Sequence, residues 1–325
     1  MTKSQMEFPM EEIRDELICG NFPEAEKKSR QWLESFSLAD KNDVNYQRAG
    51  EAYIYSQYLL NRQDRIQRLQ GDDQRARYFL EVLAELNRIR ESRKFEKTNN
   101  PLWRGIDHYL HARIAENYAR AFAGQKSYNL DQNEIIQLSV SLLVLEKFNA
   151  ALEALDFLLR LNRHHPSVNF LMAYACDRIG QKNKTHLHLR DALFYRPEVI
   201  ADYPDFMPND TFEKYWRSFS GESDFGKSLY REFALLLELN GVYKSDLEIS
   251  PKELQDMERV FNEKFKACES KPEKTGLEIS ELLHYLCWLI IKYQKSSSYE
   301  KVELYRQKMI YLSPDAWETF NSKRI

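Results

Sequence analysis

Apolar residues recur at helical spacing along most of the chain, and over residues 132 to 199 they do so twice in the same register. Ile135, Leu138, Leu142 and Leu145 share one face of a helix that follows Asp131 and Glu134 at a capping-box spacing. After a polar turn at Glu146 and Lys147, a second helix buries Phe148, Ala151, Leu155, Leu158 and Leu159. The next segment opens with Pro166, suited to a first helical position, and stops at Gly180, as a left-handed C-cap would. Its second helix runs through Leu187, Leu189, Ala192, Leu193 and Phe194 to Arg196-Pro197. A shift of 34 positions places Phe148 on Lys182, Ala151 on Thr185, Leu155 on Leu189 and Leu158 on Ala192. A repeat of this length marks helical hairpins that stack because each has an apolar face it cannot bury alone.

The flanking stretches read as helix too. Residues 9 to 37 form a hairpin turning at Gly20-Asn21. A helix from Asp43 breaks at Gly71-Asp72-Asp73, and another runs to about Phe95. Asn100-Pro101 starts a further helix, which stops at Gly124. After Pro197 the pattern lapses: Pro197, Pro204 and Pro208 accompany Tyr203, Phe206, Phe212, Tyr215, Trp216, Phe219 and Phe225. Such a segment is either a hinge between two helical lobes or an arm folded back on the repeats. The expected organisation is a helical lobe over 1–199, with its clearest repeats at 132–165 and 166–199, a connector over 200–223, and a second helical lobe over 224–325. In that last lobe, helices are expected at 224–239, 251–268, 278–294 and 298–312. Ser250 and Glu253 form a capping box, and a closing helix follows Ser313-Pro314.

Only 10 glycines and 10 prolines in 325 residues imply short connections and an all-α fold. A net charge of -3, with 30% charged residues, supplies no global field to recruit nucleic acid or an anionic membrane. The longest apolar run, Leu282 to Ile291, contains His284 and is about half the ~20 residues of a membrane span. No signal-peptide pattern is read at the N-terminus, so a cytoplasmic location is expected. Cys19, Cys176, Cys268 and Cys287 lie far apart among helical residues and suggest neither a zinc site nor a disulfide framework.

The two segments resemble the tetratricopeptide repeat (TPR) family. Counted from Pro166, Ala173, Gly180, Ala192 and Pro197 stand where that family has its small residues, turn glycine and terminal proline. The first segment keeps Ser139, Phe148 and Ala151 but has Leu158 at a small position and Arg163 at the proline. Gly20, Phe22 and Ala25, and again Tyr299, Val302, Met309, Ile310 and Pro314, match the second half of such a unit. The resemblance implies a right-handed superhelix of stacked antiparallel helix pairs, whose first helices line a partner-binding groove. Carried over residue by residue, the lining is Asn133, Ile136, Val140, Leu143 and Val144, then Ser167, Phe170, Tyr174, Asp177 and Arg178. It is apolar and aromatic with a charged edge, suited to an amphipathic helix or apolar peptide. Ile136, Val140 and Leu171 replace the polar residues with which co-chaperone TPR domains clamp a C-terminal carboxylate. Equally, a neighbouring helix or the aromatic arm could cover this stripe, since apolar stripes are more often core than site.

Catalytic and metal signals are weak. His108 and His111 share a helix face, His186 and His188 diverge, and His164-His165 falls in the inter-repeat turn; no carboxylate or cysteine completes a ligand set. There is no phosphate loop or nucleophile elbow. Arginines from Arg62 to Arg104 form the best nucleic-acid argument, but interleaved acids such as Asp64, Asp72, Asp73, Glu91 and Glu96 favour a salt-bridged, solvated helix pair. The sequence thus predicts a non-enzymatic scaffold or adaptor, without cofactor or metal, that takes a protein or peptide partner. A chaperone shielding an apolar segment is the first alternative, and a nucleic-acid-binding helical-repeat protein the second.

Overall fold

The computed structural model describes residues 9–36, 43–92, 100–123, 131–220, 227–243 and 249–323, and every regular element among them is α-helical. Phe95, Gly124 and Phe225 lie outside the described residues, as do the sites 221–223 of the expected connector. The chain divides into two compact units, Met1–Ala154 and Leu155–Ile325. The division falls inside a helix, whereas the loss of periodicity had pointed to 200–223.

In the first unit the elements are α1 (Met10–Cys19), α2 (Phe22–Ser35), α3 (Val44–Leu60), α4 (Gln63–Arg68), α5 (Asp72–Ser92), α6 (Pro101–Ala123), α7 (Gln132–Val144) and the start of α8 (Phe148–Leu161). Helix α6 is the hub, packing against α1, α3, α5 and α7. Its Leu102, Ile106, Leu110, Ile114 and Tyr118 recur every four residues and are all buried. Asn100 caps α6 as its position predicts: its Oδ1 accepts from the Leu102 and Trp103 N–H groups at 3.0 and 3.4 Å. The same side chain's Nδ2 donates to the buried Glu51 carboxylate of α3, so one residue both starts a helix and ties it to another.

The second unit holds the rest of α8, then α9 (Pro166–Arg178), α10 (Lys182–Tyr195), α11 (Val199–Asp202), α12 (Asp210–Ser220), α13 (Lys227–Leu239), α14 (Pro251–Glu269), α15 (Gly276–Lys295), α16 (Tyr299–Leu312) and α17 (Pro314–Ser322). Helix α15 packs against α13, α14 and α16. Because neighbours surround it, Leu282, Leu283, Leu286 and Cys287 through Ile291 are buried on all sides, which accounts for the unbroken apolar run. The aromatics of α12 seat on α13: Phe212, Trp216 and Phe219 each approach Phe233, with centroids 5.0 to 5.4 Å away.

A single turn geometry recurs in both units. Gly20, Glu146, Gly180 and Ser297 adopt positive φ of 76, 57, 77 and 54°, each two residues before a second helix of 14 residues, α2, α8, α10 or α16. The N–H of the following residue reaches back across the helix end: Asn21 to the Glu16 carbonyl at 2.9 Å, Lys147 to Leu142 and Gln181 to Cys176 at 2.8 Å, Ser298 to Tyr293 at 3.0 Å. These are Schellman ends, which satisfy carbonyls the helix leaves open. The 34-residue shift carries the limits of α7 and α8 onto those of α9 and α10 at all four ends. Glycine meets the left-handed position without a Cβ penalty, whereas Glu146 and Ser297 bear it. Glu146→Gly and Ser297→Gly should therefore each raise stability by about 0.5–1 kcal/mol in urea unfolding; a loss would show that the side chains contribute more than the backbone strain costs.

The most buried ion pair among the described residues joins α10 to α13. Arg190 is 3% exposed and Glu238 0%. The guanidinium grips the carboxylate with two hydrogen bonds, Nε to Oε2 at 2.8 Å and Nη2 to Oε1. Removing one partner strands the other charge in the core, so Arg190→Met should cost about 3–5 kcal/mol. The double change Arg190→Met with Glu238→Leu should recover much of that loss in the same unfolding assay.

Candidate functional site

The residues expected to line a groove lie on α7 and α9, with unequal exposure. On α7, Ile136 and Leu143 are buried, Val140 and Val144 are half-buried and Asn133 is exposed. Asn133, Gln137, Val140 and Val144 are spaced four, three and four apart and so form one accessible stripe. On α9, Ser167 and Phe170 are buried, Tyr174 and Asp177 half-buried and Arg178 exposed.

The cause of the difference on α9 lies in the residues after Pro197. Tyr203 stacks on Phe170 with centroids 6.4 Å apart, and Phe206 meets the Tyr174 ring edge-on at 5.2 Å. Arg196 donates to the Ser167 hydroxyl at 3.2 Å and pairs with Asp202, which fixes the path of the segment. The Arg178 guanidinium lies 4.8 Å from the Tyr174 centroid. Of the two readings of this segment, its first part takes the form of an arm folded against α9. It holds the face formed by Phe170 and Tyr174 within the second unit.

Sequence reasoning passed over His164 as a loop residue, yet its ring bridges two carboxylates of the second unit. Its Nδ1 lies 2.9 and 3.1 Å from the two Asp191 carboxylate oxygens of α10, and its Nε2 lies 2.8 Å from Glu253 in the first turn of α14. The ring also packs on Tyr195, centroids 4.6 Å apart. Asn169 of α9 donates to the same Asp191 at 3.1 Å, and Arg163 approaches Glu253 at 3.9 Å. Burial by itself lowers the His164 pKa, but hydrogen bonds and charge from Asp191 and Glu253 raise it above the ordinary histidine value. Burial likewise raises Glu253, but Ser250 and His164 hold it down at about 2. A fold-level contact 89 residues apart in sequence leaves no local signal by which to find it.

The charge bridge gives a signed pH dependence. His164, raised on folding, contributes stability that is complete below the unfolded value near 6.5 and is lost as pH rises through the higher folded value. Glu253, depressed on folding, contributes above its unfolded value and loses that contribution as pH falls towards about 2. Buried His111, His188 and His284 are pushed down by burial to about 4, 4 and 3, so they oppose His164 and weaken the fold on acidification below 6.5. His164→Gln should therefore reduce Tm more at pH 6 than at pH 8.5. An equal reduction at both values in thermal unfolding would mean that the imidazolium is not what holds α14.

Among the described residues, no group of three or more histidine, cysteine or acidic side chains could hold a metal ion, and no helix is long and apolar enough to cross a membrane. His111 instead pairs through Nδ1 with the Ser141 hydroxyl at 3.1 Å. Several basic residues between Arg62 and Arg104 are engaged within the first unit. Arg62 binds Glu85 at 2.9 Å, Arg77 binds Glu134 at 2.5 Å, and Arg65 and Arg90 lie over the rings of Tyr78 and Trp103. Arg93, Lys94, Glu96 and Lys97 lie outside the described residues. Compared with known proteins, the chain matches no family model, no curated protein and no solved structure.

Proposed function

We propose that this chain is a non-enzymatic scaffold built of TPR-like antiparallel helix pairs, acting in the cytoplasm on a protein or peptide partner. The observation that carries the reading is the recurrent hairpin: a left-handed turn residue, a Schellman closure and a 14-residue second helix, found at Gly20, Glu146, Gly180 and Ser297. Tandem hairpins of one geometry are the building plan of solenoids, whose common work is to present an extended surface to other chains. Cys176, Cys268 and Cys287 are buried side chains of the helices α9, α14 and α15, a usage that fits a reducing compartment.

Within this reading the contact surface is the α7 stripe. Val140 and Val144 give apolar area while Asn133 and Gln137 give hydrogen-bonding groups, the mixture that suits an amphipathic helix laid along another helix. The Phe170 and Tyr174 face of α9 already serves the chain's own arm. A photo-crosslinking amino acid at Val140 or Val144 should yield one discrete protein adduct in lysate, competed by unlabelled protein and lost when the other valine is changed to Glu. The same probe at Glu263, exposed on α14, should yield none. Indiscriminate adducts from all three positions, or none from any, would refute the α7 surface.

A further inference from the structure

The second unit contains a partly open cavity of about 230 Å³, lined by Leu159, Leu187, Ile249 and Trp288 and by the polar groups of Arg163, Asn169, His188, Arg190 and Asp191. None of its lining residues belongs to α7, and it does not depend on the scaffold reading. The volume exceeds the ~150 Å³ that accommodates benzene in an apolar protein cavity and falls below the range of drug-sized sites, about 300–1,000 Å³. It fits a single ring with one small substituent.

Chemistry on the wall narrows the ligand. Asn169 donates through Nδ2 to the Arg163 carbonyl at 2.8 Å and to Asp191 at 3.1 Å, so its Oδ1 is the acceptor facing His188 Nδ1 at 2.8 Å. Nδ1 of His188 therefore carries the hydrogen and Nε2 the lone pair, an arrangement that burial reinforces by keeping this imidazole neutral. That Nε2 accepts no hydrogen bond from the described residues. Trp288, 2% exposed, has an indole Nε1–H with no acceptor among the described residues, a costly state for a buried donor. The charges on the wall are already matched: Arg190 by Glu238, Asp191 by His164, and Arg163 beside Glu253. A charged ligand would find no free counter-charge, whereas a hydroxyl can donate to the lone pair of the neutral imidazole.

We propose that this cavity is a binding site for a small neutral aromatic bearing a hydroxyl group, its ring against Leu159, Leu187, Ile249 and Trp288 and its hydroxyl hydrogen on His188 Nε2. Phenol is the minimal probe, and anisole, with the same ring but no donor, is its control. In ¹H–¹⁵N spectra of the full chain, the Trp288 indole resonance, assigned from Trp288→Phe, should shift saturably with phenol in the millimolar range. Anisole should bind about fivefold more weakly, the value of one neutral hydrogen bond. In His188→Leu the two probes should become equal. Equal affinities of phenol and anisole for the unaltered protein would overturn the assignment, whether or not the variant folds. So would a Trp288 resonance that phenol leaves in place.

Discussion

A residue with positive φ, placed two positions before a 14-residue helix, is the constraint on which the hairpins depend. At that point the first helix must end, its last carbonyls must be satisfied, and the chain must reverse within two or three residues so that two apolar faces meet. The left-handed residue accomplishes all three, because it turns the next N–H back towards the carbonyl five residues earlier. Once reversed, the hairpin buries Ala25, Ala151 or Thr185 three residues into the second helix. A small side chain there lets the two helices approach closely; a large one would force them apart.

The turn was legible in the sequence where glycine supplies it, at Gly20 and Gly180, and legible only by register at Glu146 and Ser297, where an ordinary side chain occupies the same backbone state. Capping boxes at Asp131 and Ser250 and the cap at Asn100 were likewise readable, because each is a local pairing within three residues. The boundary of the two units was not. Proline and aromatic density after Pro197 interrupts helical periodicity, but interruption of a helix and separation of a domain are different events. Phe206 and Phe212 are apolar enough to be buried, and burying them makes this stretch part of the second unit's core. Composition shifts locate breaks in local structure; where the chain packs afterwards is decided by contacts distant in sequence.

The same limit governs the candidate site. Position in the repeat put Ile136, Val140, Phe170 and Tyr174 on first helices, and periodicity made them look equivalent. Exposure separates them, since Phe170 has Tyr203 over it while Val140 retains accessible surface. No pattern within α9 could have revealed this, because the covering ring comes from a segment 33 residues on, and its register against α9 is set by Arg196 bonding Ser167 and Asp202. His164 shows the converse case: a loop residue without periodic signal becomes a junction of three elements through two carboxylates.

The second unit accepts polar groups deep in its core, and their arrangement follows from the buried Arg190–Glu238 pair. A guanidinium taken out of water must be surrounded by groups that tolerate charge, and the rings of Trp288 and Tyr243 stand 5.7 and 5.6 Å from it. Those rings bring an indole N–H and a phenol O–H with them, and His284 lies 6.2 Å from Trp288 in the same layer. Neither the Trp288 N–H nor the Tyr243 hydroxyl finds a partner among the described residues. A core filled for packing alone would place leucine or phenylalanine at these positions and avoid the cost. Of the two rings only Trp288 lines the cavity, together with His188, and an unsatisfied donor on such a wall is the pattern expected when part of the hydrogen bonding is completed by a small guest molecule rather than by the chain.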